Sequence, residues 1–269
     1  MKRDTAGTPS SRGTLSSRAH LPNERGISNV PNDEIPRSAR NDKERRNGTT
    51  GAAEIVRAAE IVHAAEIVRE YGPFPGADTI HGVTHDGRRV WAATGARLIA
   101  IDPDSGTIER TLERGGDAGS AFDGTHLYQI AEARIDKIDP ATGDVVASIP
   151  APGHGSDSGL AWAEGSLWVG QYRERKIHQV DPATGAILRT IESNRFVTGV
   201  SWVDGELWHG TWEDDQSDIR RIDPRSGAVL ERLEMPQGIG VSGLESDGRD
   251  LFYCGGGPTG KVRAVRRPK

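Results

Sequence analysis

A motif that recurs about every 40 residues constrains the fold more than any other feature of this sequence. Asp-Pro-x-[Ser/Thr]-Gly occurs at residues 102–106, 139–143, 181–185 and 223–227, at steps of 37, 42 and 42 residues. A second marker, an acidic residue followed by Gly, recurs with the same period at residues 86, 123, 164, 204 and 247. Internal periods of this length are typical of repeat proteins. We therefore expect five copies of one structural unit from residue 80 to the end of the chain.

Each copy contains four short runs of strand-like composition, which in the fourth copy cover residues 199–203, 206–212, 219–223 and 228–233. The acidic-Gly pair suits a two-residue hairpin between the first and second runs. The Pro and Gly of the other motif suit a turn between the third and fourth. Four antiparallel strands in such a period indicate a β-propeller blade. We predict an all-β, five-bladed β-propeller of four-stranded antiparallel blades.

The fifth copy stops after its third strand, so one outer strand must come from elsewhere. We expect residues 66–71 to supply it, which would close the ring with an N-terminal strand. The six-residue unit Ala-Ala-Glu-Ile-Val-Arg starts at residues 52, 58 and 64, almost unchanged, and the two upstream copies could compete for that position.

Three segments follow from this organisation. Residues 1–51 are rich in Ser, Arg and Asn, carry 10 Lys and Arg against 6 Asp and Glu, and show no periodicity, so we predict a disordered basic tail. Residues 52–65 are predicted to be a short tandem-repeat linker. Residues 66–269 are predicted to form the propeller.

Composition excludes several classes of protein. The single cysteine, Cys254, excludes an internal disulfide framework and a multi-cysteine zinc site. No apolar run approaches the roughly 18 residues of a membrane span, and no apolar core of a secretory signal follows the basic N-terminus. We expect a soluble monomer, cytoplasmic as written, or periplasmic or secreted if the true N-terminus differs. The acidic remainder of the chain argues against nucleic acid as a partner.

Binding residues are expected on the propeller face that carries the second-to-third strand loops and the connectors between blades, because these vary in length and content. One polar residue per inner strand should converge on the axis near a glycine: His81, Asp117, Ser158, Thr198 and Ser242. This ring could hold a small ligand or a divalent cation in the central channel. It could equally do no more than solvate the channel.

The aromatic residues divide into two groups. Trp91, Trp168 and Trp208 share one second-strand position and are predicted to pack between blades. The candidate ligand-binding residues are Trp212, Glu213, Trp162, Trp202, Tyr172, Arg173, His154 and His81. Among these, Trp212 is the strongest aromatic candidate for a ligand wall, because it follows its strand onto the variable face.

The segment Thr198-Gly199-Val200, followed by Leu207 to Trp212, resembles the blade motif of the plant and bacterial glutamine cyclotransferases. That family is also a five-bladed propeller and converts N-terminal glutamine into pyroglutamate with release of ammonia. The resemblance matches Trp212 to a pocket tryptophan. It departs where the family has Glu before the inner-strand Gly, which leaves Glu245 or Asp117 as candidate catalytic groups.

The segment Glu164-Gly165-Ser166-Leu167-Trp168 also resembles the blades of streptogramin lyases, which are seven-bladed and use His and Glu with magnesium. Three function classes therefore stay open. One is a glutaminyl-peptide cyclotransferase acting on peptide N-termini, and another is a metal-assisted lyase. The third is a non-catalytic propeller that binds a small molecule or peptide or serves as a scaffold.

Overall fold

The computed structural model describes residues 60–269, in which all regular secondary structure is β. The predicted tail at residues 1–51 and the first part of the predicted linker, residues 52–59, lie outside the described residues. Two strands, β1 (Ile61–Ala64) and β2 (Ile67–Tyr71), precede five repeated units. Within the described residues no helix is long and apolar enough to cross a membrane.

The first three blades are antiparallel four-stranded sheets built from consecutive strands. Blade 1 contains β3 (Gly82–His85), β4 (Val90–Ala93), β5 (Leu98–Ile101) and β6 (Ile108–Leu112). Blade 2 contains β7 (Ser120–Phe122), β8 (Leu127–Ala131), β9 (Arg134–Ile138) and β10 (Val145–Pro150). Blade 3 contains β11 (Asp157–Ala163), β12 (Ser166–Gln171), β13 (Lys176–Val180) and β14 (Ile187–Glu192).

The last two blades each include an N-terminal strand. Blade 4 contains β15 (Phe196–Val203), β16 (Glu206–Trp212), β17 (Asp218–Ile222) and β18 (Val229–Glu234). Blade 5 contains β19 (Ser242–Ser246), β20 (Leu251–Gly255) and β21 (Val262–Arg266). Strand β2 pairs antiparallel with β21, and β1 pairs in parallel with β18 as a fifth strand of blade 4. The prediction of an all-β, five-bladed propeller is confirmed.

The parallel addition of β1 was not expected. Residues 61–64 belong to the segment that we assigned to a linker, yet they extend the sheet of blade 4. The second copy of the six-residue repeat therefore lies on the neighbouring blade, while the third copy occupies the edge of blade 5.

The recurrent turns have the expected chemistry, with one difference in length. In the motif at residue 102, the Asp102 carboxylate accepts the N–H of Ser105 at 2.7 Å, and Gly106 takes a φ of 79°. Between the last paired residues of the first two strands, the hairpin contains two residues in blades 3 and 4, four in blades 1 and 2, and five in blade 5. In blade 1 the longer loop is stabilised because the Asp86 carboxylate accepts the N–H groups of Arg88 and Arg89.

A ring of five glycines, one per inner strand, lets the blades approach closely at the axis. They are Gly82, Gly119, Gly159, Gly199 and Gly243. A Cβ on Gly199 would lie 2.7 Å from the backbone carbon of Gly243, and each of the others would meet the next blade in the same way. Only glycine fits this spacing, so the ring gives a fixed reference point for positions along the inner strands.

The predicted tryptophan packing is also observed. Trp91, Trp168 and Trp208 are fully buried, and Tyr128 and Phe252 occupy the same position in the other blades. The Trp208 and Phe252 rings lie 5.0 Å apart between blades 4 and 5. Large aromatic contacts of this kind supply much of the apolar burial that stabilises a packed core.

Candidate functional site

A cavity of about 370 Å³ opens at the propeller mouth that carries the variable loops. Its base is formed by residues that lie one or two positions before the inner-strand glycines. These are His81, Asp117, Ala118, Asp157, Ser158, Thr198, Val241 and Ser242. All five members of the predicted polar ring therefore line one cavity. Tyr172, Trp212 and the loops around Gly240 and Gly257 complete the walls.

Asp157 is a buried carboxyl group in this cavity, and the sequence analysis did not single it out. Its two oxygens accept the Gly153 N–H at 2.9 and 3.0 Å. Burial raises the pKa of Asp157 above its usual value, although the hydrogen bond from Gly153 and the nearby His154 oppose the increase. The sequence did contain a signal for Asp157, because this residue lies two positions before the inner-strand glycine Gly159, just as the candidate Asp117 lies two positions before Gly119.

Asp117 brings a second carboxylate to the same cavity from the neighbouring blade. It is exposed and accepts the Glu132 N–H at 3.1 Å, so the loop between β8 and β9 holds its orientation. The corresponding positions in blades 1, 4 and 5 are Ile80, Val197 and Val241, which are buried. The two carboxyl groups of the cavity therefore lie at blades 2 and 3, and of the three apolar residues at this position only Val241 lines the cavity.

Aromatic side chains form the outer wall between blades 3 and 4. The Tyr172 ring stacks on Phe196 at 4.8 Å, and the Arg175 guanidinium lies 4.4 Å from the centre of the Phe196 ring. Trp212 packs against Gly240, where a Cβ would stand 3.5 Å from the indole. Two aromatic faces next to carboxylates suit a ligand that carries an amine.

An ion-pair network holds the Trp212 loop in place. Glu213 pairs with Arg175 at 2.6 Å and with Arg195 at 3.4 Å, so this candidate binding residue is engaged by arginines from blade 3 and the connector after it. Asp218 pairs with Arg220 at 2.6 Å and with Arg195 at 3.2 Å. Burial opposes ionisation of Asp218, but Arg220, Thr211 and Arg195 together outweigh it and hold the pKa of Asp218 below its usual value.

The other predicted binding residues lie outside the cavity lining. Arg173 is exposed on the loop between β12 and β13, and His154 is exposed in a left-handed conformation with φ of 49°. Trp162 stacks on Tyr128 at 5.4 Å and Trp202 on Trp168 at 5.2 Å, both between blades. The structure thus brings together Trp212, Tyr172, His81 and Asp117 from the predicted set, and it separates the rest.

Glu245 lies beyond the glycine ring, two residues past Gly243, and does not line the cavity. Its carboxyl group accepts hydrogen bonds from Ser201 Oγ at 2.9 Å and from Thr84 Oγ1 at 3.3 Å. Burial raises its pKa to about 7. Of the two alternative catalytic groups, Asp117 lines the cavity and Glu245 does not.

The polar groups along the axis do not fit a divalent-cation centre. Glu245 offers one carboxylate, and its side-chain partners are the hydroxyls of Ser201 and Thr84. Within residues 60–269, no three His, Cys, Asp or Glu side chains come together as a metal-binding group. We therefore derive no step through a metal ion.

The fold and the site define a five-bladed β-propeller with a ligand-sized cavity at one mouth. Among solved structures, the chain is similar to the glutaminyl cyclase of Myxococcus xanthus, with a TM-score of 0.63, 16% identity, and coverage of 77% of this chain and 98% of that chain. The virginiamycin B lyase of Staphylococcus aureus gives a TM-score of 0.45, 18% identity, and coverage of 74% and 70%. No family model matches the chain, and no curated protein matches its sequence. The resemblance to the cyclotransferase propellers is confirmed at the level of the fold.

Proposed function

We propose that the chain is a glutaminyl cyclase-like enzyme that converts the N-terminal glutamine of a peptide into pyroglutamate and releases ammonia. The observation that carries this proposal is Asp157, a buried carboxyl group inside a cavity of ligand size. The structural similarity to a protein named glutaminyl cyclase supports the same reaction class. Ligand pockets typically combine apolar walls with a few converging polar groups, which this cavity also does.

The chemistry needs one group that carries a proton in both directions. The free amine attacks the carbon of the side-chain amide, so a new N–C bond forms and the C–NH₂ bond breaks. One proton leaves the attacking nitrogen, and the departing nitrogen gains one to leave as ammonia. A single carboxylate can accept the first proton and donate it in the second step. Because burial raises the pKa of Asp157, this carboxyl group takes up a proton at a higher pH than the carboxyl group of an exposed aspartate does.

The remaining cavity groups suit recognition of the substrate's amino terminus. Asp117 and Asp157 place negative charge on one side of the cavity, and Tyr172 and Trp212 offer aromatic faces. A peptide that begins with glutamine presents an amine and an amide within a few bonds, which the polar and apolar sides can engage together.

The test is ammonia release from a glutaminyl peptide, measured with a coupled assay and by mass spectrometry of the product. An N-acetylated glutaminyl peptide, which lacks the free amine, should give none. Asp157→Asn should lower kcat by about 10²-fold or more, the usual effect of losing a general acid or base. Asp144→Asn, at an exposed turn, is the matched control and should keep full activity. A folded wild-type protein that releases no ammonia would overturn the proposal.

A second candidate is a propeller that binds peptide N-termini without catalysis. It is favoured by Ser158, Thr198 and Ser242, which stand where the resembled family has glutamate before the inner-strand glycine. Binding of a glutaminyl peptide, followed by the protein's tryptophan fluorescence, with no change in the mass of the peptide would select this candidate over the enzyme.

A further inference from the structure

Three inner strands carry a hydroxyl residue immediately before the glycine, and the three differ in hydrogen bonding. Ser158 Oγ donates to the Val197 carbonyl at 2.7 Å, and Ser242 Oγ donates to the His81 carbonyl at 3.1 Å. Thr198 is 9% exposed, yet its Oγ1 has no hydrogen-bond partner within residues 60–269. One of three equivalent hydroxyls is therefore buried and unpaired.

An unpaired buried hydroxyl lowers the stability of the fold, and native structures contain few of them. Thr198 Oγ1 lies over Gly210, where a Cβ would stand 2.9 Å from it. The same residue also lines the mouth cavity. Threonine side chains occupy discrete χ1 rotamers, so directing the hydroxyl toward a ligand in that cavity would require a change from the present rotamer. A ligand would then supply the partner that the protein does not.

We propose that the Thr198 hydroxyl donates a hydrogen bond to the carbonyl oxygen of a bound primary amide. This inference rests on the proposed function and assigns the amide end of its substrate. The carboxylates of Asp117 and Asp157 lie in blades 2 and 3. When the substrate's amine binds to them, its amide carbonyl would lie near Thr198 in blade 4. When the amine adds to the amide carbon, negative charge develops on that oxygen. A hydroxyl aimed at it stabilises the transition state more than the ground state.

Two substitutions at residue 198 test the assignment. Thr198→Val keeps the shape and removes the hydroxyl, so kcat for ammonia release should fall by about 10²-fold, as for loss of one oxyanion donor. Its melting temperature should not fall, because no bond within the protein is lost. Thr198→Ser keeps the hydroxyl and should retain kcat within a few-fold, about 3-fold. The matched control is Thr94→Val, which removes a hydroxyl that donates to the Arg97 carbonyl at 3.0 Å, and it should lower the melting temperature without lowering kcat.

Binding separates this inference from the proposed function. Glutaminyl-glycine is titrated against wild type and Thr198→Val by tryptophan fluorescence, and the variant should bind about 10-fold more weakly. If wild type binds without releasing ammonia, the enzymatic proposal fails while the difference in affinity still supports the role of Thr198. Equal kcat and equal affinity for the two proteins would overturn the inference. A loss of melting temperature matching that of Thr94→Val would also overturn it, because it would reveal a structural partner.

Discussion

Replacing Glu245 with glutamine should stabilise the propeller by an amount that increases with pH. The Glu245 carboxyl group lies among the inner strands of blades 4, 5 and 1, where it accepts hydrogen bonds from Ser201 Oγ and Thr84 Oγ1. Glutamine can keep both contacts, since its carbonyl oxygen accepts from Ser201 and its NH₂ group donates to the threonine hydroxyl. The substitution therefore removes the ionisable group with little change in shape.

The magnitude follows from the difference in proton affinity between the folded and unfolded states. Burial raises the pKa of Glu245 from 4.5 to about 7. Between these values the unfolded chain has lost its proton and the folded protein has kept it, so the free energy of unfolding falls as pH rises. The penalty is about 1 kcal/mol near pH 5 and levels off at about 3 kcal/mol near pH 8. Glu245→Gln removes this penalty at both pH values. Its free energy of unfolding should therefore exceed that of wild type by an amount that grows by about 2 kcal/mol between pH 5 and pH 8.

Urea unfolding monitored by tryptophan fluorescence at the two pH values measures this difference. Comparing each variant with wild type at the same pH cancels the titration of all other groups. Glu164→Gln serves as the control, because it removes a glutamate charge from an exposed hairpin. If the advantage of Glu245→Gln is the same at both pH values, the carboxyl group ionises as it does in the unfolded chain, and the reasoning from burial is wrong.

Three further outcomes follow from particular contacts. Gly199→Ala should destabilise the protein by more than about 2 kcal/mol in urea unfolding, since its Cβ would clash with the backbone of Gly243. Asp218→Asn should cost about 3 kcal/mol at neutral pH in the same assay, because it leaves the buried Arg220 without a carboxylate partner. The stability that Asp218 gives the wild type is present above the usual aspartate pKa and is lost as pH falls through its lowered pKa. Trp212→Ala should weaken binding of a glutaminyl peptide by about 10-fold in a calorimetric titration, with an unchanged melting midpoint, because the indole forms a cavity wall.

The architecture was predictable because its signals are local and repeated. An Asp-Pro turn is stabilised by the carboxylate of its own aspartate, as at Asp102, so the five residues of the motif are enough to predict the turn. The shared tryptophan position was equally visible, since Trp91, Trp168 and Trp208 recur in phase with the turns. The hairpins of blades 1, 2 and 5 were predicted too short, because Asp86 and its counterparts Asp123 and Asp247 each accept two N–H groups of a longer loop.

Parts of the candidate site depend on neighbours from other blades and were less visible. Glu213 belongs to an acidic run in the sequence, but Arg175 and Arg195 approach it from blade 3 and from a connector. Asp157 was overlooked in favour of Ser158. Strict alternation along a strand would direct only one of these two neighbours to the cavity, but a β-bulge between Asp157 and Gly159 interrupts the alternation and both residues line it. The cross-blade pairing has no signature within a single repeat, whereas the bulge recurs at the inner-strand glycine in blades 3, 4 and 5.

Position relative to the inner-strand glycine decides what a polar residue can do in this propeller. Asp157 lies two residues before its glycine and lines the mouth, whereas Glu245 lies two residues after and contacts hydroxyls within the ring. Four strand positions separate these two phases, which corresponds to about 13 Å along a strand. In the proposed reaction, a ligand in the mouth would therefore exchange a proton with Asp157 and not with Glu245. In the proposed reaction, the substrate's amine would lie near the carboxyl groups of Asp117 and Asp157 in blades 2 and 3, and its amide would then lie toward Thr198 in blade 4.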